Sequence, residues 1–256
     1  MIKIFASMAV SMMALTLMPP NLSTAEAQTT PEPKALPAIK IVLAGDSTVA
    51  PNGGWGAAFA DLLKPEAQCV NLASPGRSSK SFRDEGRWKK VLDEKPDYIF
   101  IQFGHNDMPG KGPERETDPK TTYSENLKRY VEEGRAIGAK PILVTPLTRR
   151  FFGADGRIKS DLIPYALAVI QVAKDNHVPL VDLHARSIEQ FNNIGRAAAK
   201  QYDRRPDDPT KPDATHLSKF GEHETALLVA HEVKNVEPEL GNYVNLPDPP
   251  AHPQGE

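Results

Sequence analysis

Short apolar runs recur along the chain at residues 39–44, 68–72, 98–103, 142–145 and 180–183, each bounded by glycine, proline or polar clusters. Tyr98-Ile99-Phe100-Ile101 is apolar at consecutive rather than alternate positions, the pattern of a strand covered on both faces. Helical spacing fills the intervals at 55–63, 83–94, 122–137 and 160–176, and continues at 185–200 and 219–234. In the stretch from Thr122, Leu127, Tyr130, Val131 and Ile137 recur at helical spacing, while Lys128, Arg129, Glu132 and Glu133 fall between them and Gly138 ends the run. The alternation predicts an α/β fold, a five-stranded parallel sheet inside a three-layer α/β/α sandwich.

Ligands of such sheets bind beyond the carboxyl ends of the strands, so the segments after each run are where chemistry is expected. The first run leads into Gly45-Asp46-Ser47-Thr48, the second into Ala73-Ser74-Pro75-Gly76-Arg77 and the third into Gly104-His105-Asn106-Asp107. Far downstream, Asp213-Ala214-Thr215-His216 precedes Leu217, Ser218 and a helical pattern. A serine hydroxyl is a weak nucleophile until a base takes its proton, and an imidazole with an ordinary pKa of about 6.5 suits that task. A nearby carboxylate fixes the imidazole tautomer and stabilises the imidazolium. Ser47, His216 and Asp213 therefore form a candidate split triad.

Composition narrows the setting. Met1-Ile2-Lys3, an apolar stretch from Ile4 to Met18 and Ala25-Glu26-Ala27 form the pattern of an export signal, so residues 1–27 are expected to direct export to a periplasm or to the outside. The apolar stretch is shorter than a membrane span needs, so no stable membrane anchor is expected. Proline-rich segments at 28–37 and 247–256 have the composition of a flexible leader and a disordered tail, leaving one domain over 38–246. A formal charge of -2, with no long basic block, argues against a nucleic-acid partner. Cys69 is the only cysteine and sits in the strand-like sequence Gln68-Cys69-Val70-Asn71-Leu72, so it reads as an inert buried thiol. Asp203, Asp207 and Asp208 lack calcium-loop spacing and read as a solvated loop, so no metal is expected. His105, His177, His184, His223 and His231 compete for the base role, with His252 in the tail; His184 closes the fifth run but lacks a carboxylate at a matching spacing, and His223 and His231 fall on a predicted surface helix.

The blocks Gly45-Asp46-Ser47, Gly76, Gly104-His105-Asn106-Asp107 and Asp213-x-x-His216 resemble those of the SGNH (GDSL-type) hydrolases. Gly54-Trp55-Gly56, Gln102-Phe103-Gly104-His105-Asn106-Asp107 and Thr145-Pro146-Leu147-Thr148-Arg149-Arg150 look most like the rhamnogalacturonan acetylesterase branch. The resemblance implies a flavodoxin-like sheet and a cofactor-free serine esterase. It also implies an oxyanion hole formed by the backbone N–H groups of Ser47 and Gly76 and the side-chain amide of Asn106. The implied substrate is an acetylated polysaccharide, rhamnogalacturonan first. Acetylxylan, a general small ester or a lysophospholipid are rivals within the superfamily, and a glycan-binding protein without turnover is a rival of another class.

Expected substrate contacts are Trp55, Arg149 and Arg150. Trp55 stands between stacking on a sugar and burial in the core. Arg77, Lys80, Arg83, Lys111, Arg115, Arg149 and Arg150 follow three of the strands. They form either a basic rim that attracts an acidic glycan or ordinary charges offset by Asp84, Glu85, Glu114 and Glu116.

Overall fold

The computed structural model describes Met1, residues 35–208 and residues 210–247. Apart from Met1, the expected export signal lies outside the described residues, as do the leader up to residue 34 and the tail from residue 248. The chain divides into Met1–Ala35 and Leu36–Glu256, and the second unit carries the sheet. No helix among the described residues is long and apolar enough to cross a membrane.

The five predicted strands form β1 (Ile39–Gly45), β2 (Ala67–Asn71), β3 (Tyr98–Gln102), β4 (Lys140–Val144) and β5 (Leu180–Val181). All pairings are parallel, in the order β2-β1-β3-β4-β5. This is the flavodoxin-like order, and its direction of winding reverses between β1 and β3. The loops leaving those two strands diverge there and open a crevice.

Alternate residues of each strand feed two separate cores. Ile41, Leu43, Phe100, Ile142 and Val144 pack with Phe59 of α1 (Gly56–Asp61), Phe191 of α6 (Leu183–Ala199), Val229 and Val233 of α7 (Lys219–Val236) and Leu240 of α8 (Pro238–Gly241). Val42, Ala44, Ile99, Ile101 and Leu143 pack on the other face with Phe82 of α2 (Ser81–Asp84), Trp88 of α3 (Arg87–Asp93), Leu127 and Tyr130 of α4 (Thr122–Ala136), and Val169 of α5 (Ile163–Asp175). The three-layer sandwich follows from this two-sided burial.

Several boundaries move for local reasons. The single helix expected over 83–94 is two, because Gly86 takes φ +70° and ends the first turn. In α6 the backbone kinks at Gly195, with φ 76° and ψ 168°. At the start of the domain, Leu36 packs on the core and the Pro37 carbonyl accepts a hydrogen bond from Tyr243, so both belong to the fold rather than to a leader.

Candidate active site

Ser47 leaves the carboxyl end of β1 on a turn built by its neighbour. Asp46 is fully buried, and its Oδ1 accepts from the Thr48 N–H at 2.8 Å and the Thr48 hydroxyl at 2.7 Å. The Thr48 hydroxyl also accepts from Gln102 Nε2 at 2.6 Å, and Gln102 Oε1 accepts from Trp55 Nε1 at 3.0 Å. A buried chain of polar groups thus runs from Trp55 through Gln102 and Thr48 to Asp46, holding Ser47 above it. His105 Nδ1 stands 3.4 Å from Asp46 Oδ2, an electrostatic contact rather than a good hydrogen bond. Burial pushes the Asp46 carboxyl up, but the His105 imidazole and the Thr48 hydrogen bonds outweigh it and hold the group below the usual carboxylate range.

His216 reaches Ser47 from the loop before α7. Its Nε2 lies 2.9 Å from Ser47 Oγ, and its Nδ1 lies 3.1 and 3.0 Å from the two oxygens of Asp213. A carboxylate has no proton to give, so Nδ1 carries the hydrogen, Nε2 is the acceptor, and the serine hydroxyl donates to it. Asp213 Oδ1 also accepts from the His216 backbone N–H at 3.0 Å and the Thr215 N–H at 3.2 Å. The same carboxylate therefore shapes the loop and orients the ring. Burial raises the Asp213 carboxyl, but the backbone and side-chain bonds from His216 prevail and lower it.

Two clasps fix this loop. Leu217 N–H donates to the Gly53 carbonyl at 3.0 Å, and Gly53 N–H donates to the buried Glu222 at 2.8 Å, which joins the segment after Ser47 to α7. Gly53 has φ +90°, a conformation that favours glycine, and it lies in van der Waals range of His216. The second clasp is Arg150. Its Nη2 donates to the His216 carbonyl at 2.6 Å, its Nε pairs with Asp203 at 2.5 Å, and its backbone N–H donates to the Ala214 carbonyl at 3.0 Å.

The three expected oxyanion donors fall on neighbouring loops. Asn106 shares a cleft with Ser47, Asp213 and His216 and donates to the Arg77 carbonyl at 3.2 Å. Gly76 lies on the adjoining loop and does not line that cleft. Ser74 N–H on the Gly45 carbonyl at 2.9 Å ties this loop to β1. A Cβ at Gly76 would meet no protein atom within 4 Å, so its φ of +78°, not crowding, selects glycine. Among the described residues neither the Ser47 nor the Gly76 N–H has an intramolecular acceptor.

Expected substrate contacts need correcting. Trp55 is fully buried and forms an edge-on pair with Phe59, with its indole N–H spent on Gln102, so it is core and cannot stack on a sugar. Arg150 is buried under the His216 loop and does not line the cleft. Of the three, Arg149 alone faces the cleft, with its guanidinium on Asp161 at 2.6 Å. Asp203, expected in a solvated loop, is the half-buried partner of the buried Arg150. The basic rim is largely neutralised: Arg77 pairs with Glu85, Arg83 with Glu133 and Arg115 with Glu114. Cys69, expected to be buried, is half-buried against the core, and desolvation still pushes its thiol up to about 12, as suits an inert cysteine. His184 is buried with Nδ1 at 2.9 Å from the Pro146 carbonyl, away from Ser47.

The cleft has a volume of about 610 Å³. Apart from Met108, Pro109, Phe151 and Pro212, its lining is polar or charged, which suits a small acyl group on a polar carrier better than a long acyl chain. Neither Phe151 nor the Gly53–Glu222 clasp stood out in the sequence, although the pair Phe151-Phe152 directly after Arg150 was a visible signal.

Residues 43–223 match the GDSL-like lipase/acylhydrolase family. Over 204 residues the chain is 39% identical to the probable rhamnogalacturonan acetylesterase YesY of Bacillus subtilis, covering 77% of this chain and 93% of that one. It is 35% identical over 214 residues to the rhamnogalacturonan acetylesterase RhgT of the same organism, covering 77% and 90%. The crystal structure of the Bacillus subtilis protein YxiM superposes with a TM-score of 0.66 at 26% identity, over 77% of this chain and 56% of that longer one.

Proposed function

Because the chain belongs to the GDSL-like lipase/acylhydrolase family and is a carboxylic ester hydrolase, we propose that it is an exported serine esterase that removes acetyl groups from rhamnogalacturonan. The observation that supports this most is the 2.9 Å approach of His216 Nε2 to Ser47 Oγ, with Nδ1 held by Asp213. In the proposed reaction Ser47 Oγ attacks the acetyl carbon while His216 Nε2 takes its proton. The charge forming on the acyl oxygen is met by the N–H groups of Ser47 and Gly76 and by Asn106. Collapse expels the sugar alkoxide, which recovers the proton from His216 and leaves Ser47 acetylated. A water then gives a proton to His216 as it attacks the acetyl-enzyme through the same oxyanion site. The second collapse breaks the Ser47 Oγ–acyl bond, His216 returns the proton to Oγ, and acetate leaves. No step in this scheme calls on a cofactor.

The substrate assignment is supported by the names of the two Bacillus relatives and by a cleft lined mostly by polar and charged residues. Export is supported by the pattern of residues 1–27. Acetate release from acetylated rhamnogalacturonan, acetylated xylan and a short aryl acetate is the direct test. Wild-type protein should turn over all three to some degree and rhamnogalacturonan best, and Ser47→Ala should abolish turnover while leaving glycan binding. A higher rate on xylan would overturn the substrate assignment. Binding without acetate release by the wild type would replace the esterase with a glycan-binding protein.

A further inference from the structure

Sulfur is scarce in the folded unit. Met1, Met8, Met12, Met13 and Met18 fall in the expected export signal, which leaves Met108 as the only one of the six methionines between residues 38 and 246. The single cysteine, Cys69, is half-buried with its thiol pushed up to about 12, so almost none of it is the thiolate that oxidants attack. A two-electron oxidant that meets this domain is therefore left with one sulfur, the Met108 thioether.

Met108 directly follows the turn that carries Asn106. It packs against the core formed with α4 and α5, and it also lines the cleft with Ser47 and Arg149. Its Sδ accepts a hydrogen bond from Arg149 Nη1 at 3.3 Å, and the same Nη1 donates to Asp161 Oδ2 at 2.6 Å. A thioether sulfur is a weak acceptor, so in the reduced protein Asp161 holds the guanidinium. A sulfoxide alters that balance, because it puts a polar oxygen on the sulfur that already meets Nη1. The guanidinium is then drawn between two strong acceptors, and the cleft loses one of its few apolar side chains. Among the described residues the bond from Arg149 is the only side-chain hydrogen bond of Met108, so nothing ties it to Ser47, His216 or Asp213.

We propose that Met108 is a site of oxidative modification, at which a peroxide converts the thioether to the sulfoxide and the oxidised side chain weakens glycan binding while ester chemistry continues. In this step the sulfur lone pair attacks one peroxide oxygen and the O–O bond breaks. That oxygen stays on sulfur and passes its proton to the other, which leaves as water, so sulfur gives up two electrons and the peroxide takes them. The effect on binding rests on the esterase assignment, whereas the modification itself does not. The test treats the full chain with hydrogen peroxide, maps added oxygen by peptide mass spectrometry, and follows kinetics on acetylated rhamnogalacturonan and a short aryl acetate. Met108 should gain one oxygen and Cys69 none. KM on the glycan should rise by about threefold or more, while kcat on the aryl acetate stays within about twofold. A methionine sulfoxide reductase should restore the original KM. In Met108→Leu, a swap that conserves volume, the kinetics with and without peroxide should coincide. The affinity of Ser47→Ala for the glycan should fall on oxidation to the same extent, a readout that needs no turnover. Met108 left reduced by peroxide that oxidises free methionine, or oxidised Met108 with KM and glycan affinity unchanged, would overturn the proposal. An equal loss in peroxide-treated Met108→Leu would do the same. Absence of Ser47-dependent hydrolysis would remove the esterase assignment alone, since mass and glycan affinity still read the modification.

Discussion

Asp213 grips His216 by both backbone and ring, which makes the orientation of the base a property of one tetrapeptide. This is why the candidate triad was legible in the sequence: Gly45-Asp46-Ser47 and Asp213-x-x-His216 are each short enough that local spacing sets the geometry. Trp55 and Arg150 were not legible, because packing against Gln102 and the His216 carbonyl decides which way those side chains point. Asn106 belongs to the first kind, lying within the turn over residues 104–107 that follows β3. Its Nδ2 is held near the site by the Arg77 carbonyl. Removing a single oxyanion donor typically costs about 2.7 to 4 kcal/mol of transition-state stabilisation. Asn106→Ala should therefore lower kcat on a short aryl acetate by about 100- to 1,000-fold with little change in KM, as steady-state kinetics would reveal. An unchanged kcat would remove Asn106 from the oxyanion site.

At the level of elements, the loops rather than the strands needed the structure. The strands declared themselves through their apolar runs, although β5 keeps only Leu180 and Val181 because α6 begins at Leu183, and glycines such as Gly86 set the helix breaks. The loop between the short 3₁₀ turn Lys200–Tyr202 and α7 looked solvated because its charges were read one at a time. In the fold, Asp203 and Arg150 pair across it and Arg150 supports the carbonyl end of the His216 residue. Arg150→Lys retains the charge opposite Asp203 but loses the fork that bonds two groups at once. A charge-assisted hydrogen bond is worth about 1.5–3 kcal/mol. If that energy holds the base in place, kcat should fall by roughly 10- to 100-fold while KM stays within about twofold. Kinetics on a variant that still melts cooperatively would check this, and a change confined to KM would instead make Arg150 a substrate contact.

Across the whole molecule, a buried carboxyl joins three loops of the active rim. Asp107 accepts from Ser79 N–H at 3.0 Å, the Ser79 hydroxyl at 2.5 Å and the Thr117 hydroxyl at 2.8 Å. Burial pushes it up from 3.8 to about 7, with those hydrogen bonds pulling the other way. Between these two values the folded protein holds a proton that the unfolded chain has released, so the group's contribution to stability is full below about pH 4 and is lost as pH rises toward 7. Asp107→Asn should flatten that part of the Tm against pH curve relative to wild type, as thermal melts over this range would show. An identical slope in both proteins would mean that Asp107 is ionised throughout.

The order β2-β1-β3-β4-β5 gathers every residue of the candidate site at the carboxyl ends of the strands. The opposite rim holds the entry to β1, where Tyr243 bonds Pro37, and the stretch where Asn245 N–H meets the Leu62 carbonyl. Both ends of the folded unit therefore emerge on the side turned away from the cleft. A purification tag, a bead or a second catalytic module spliced to either end would leave the cleft unobstructed.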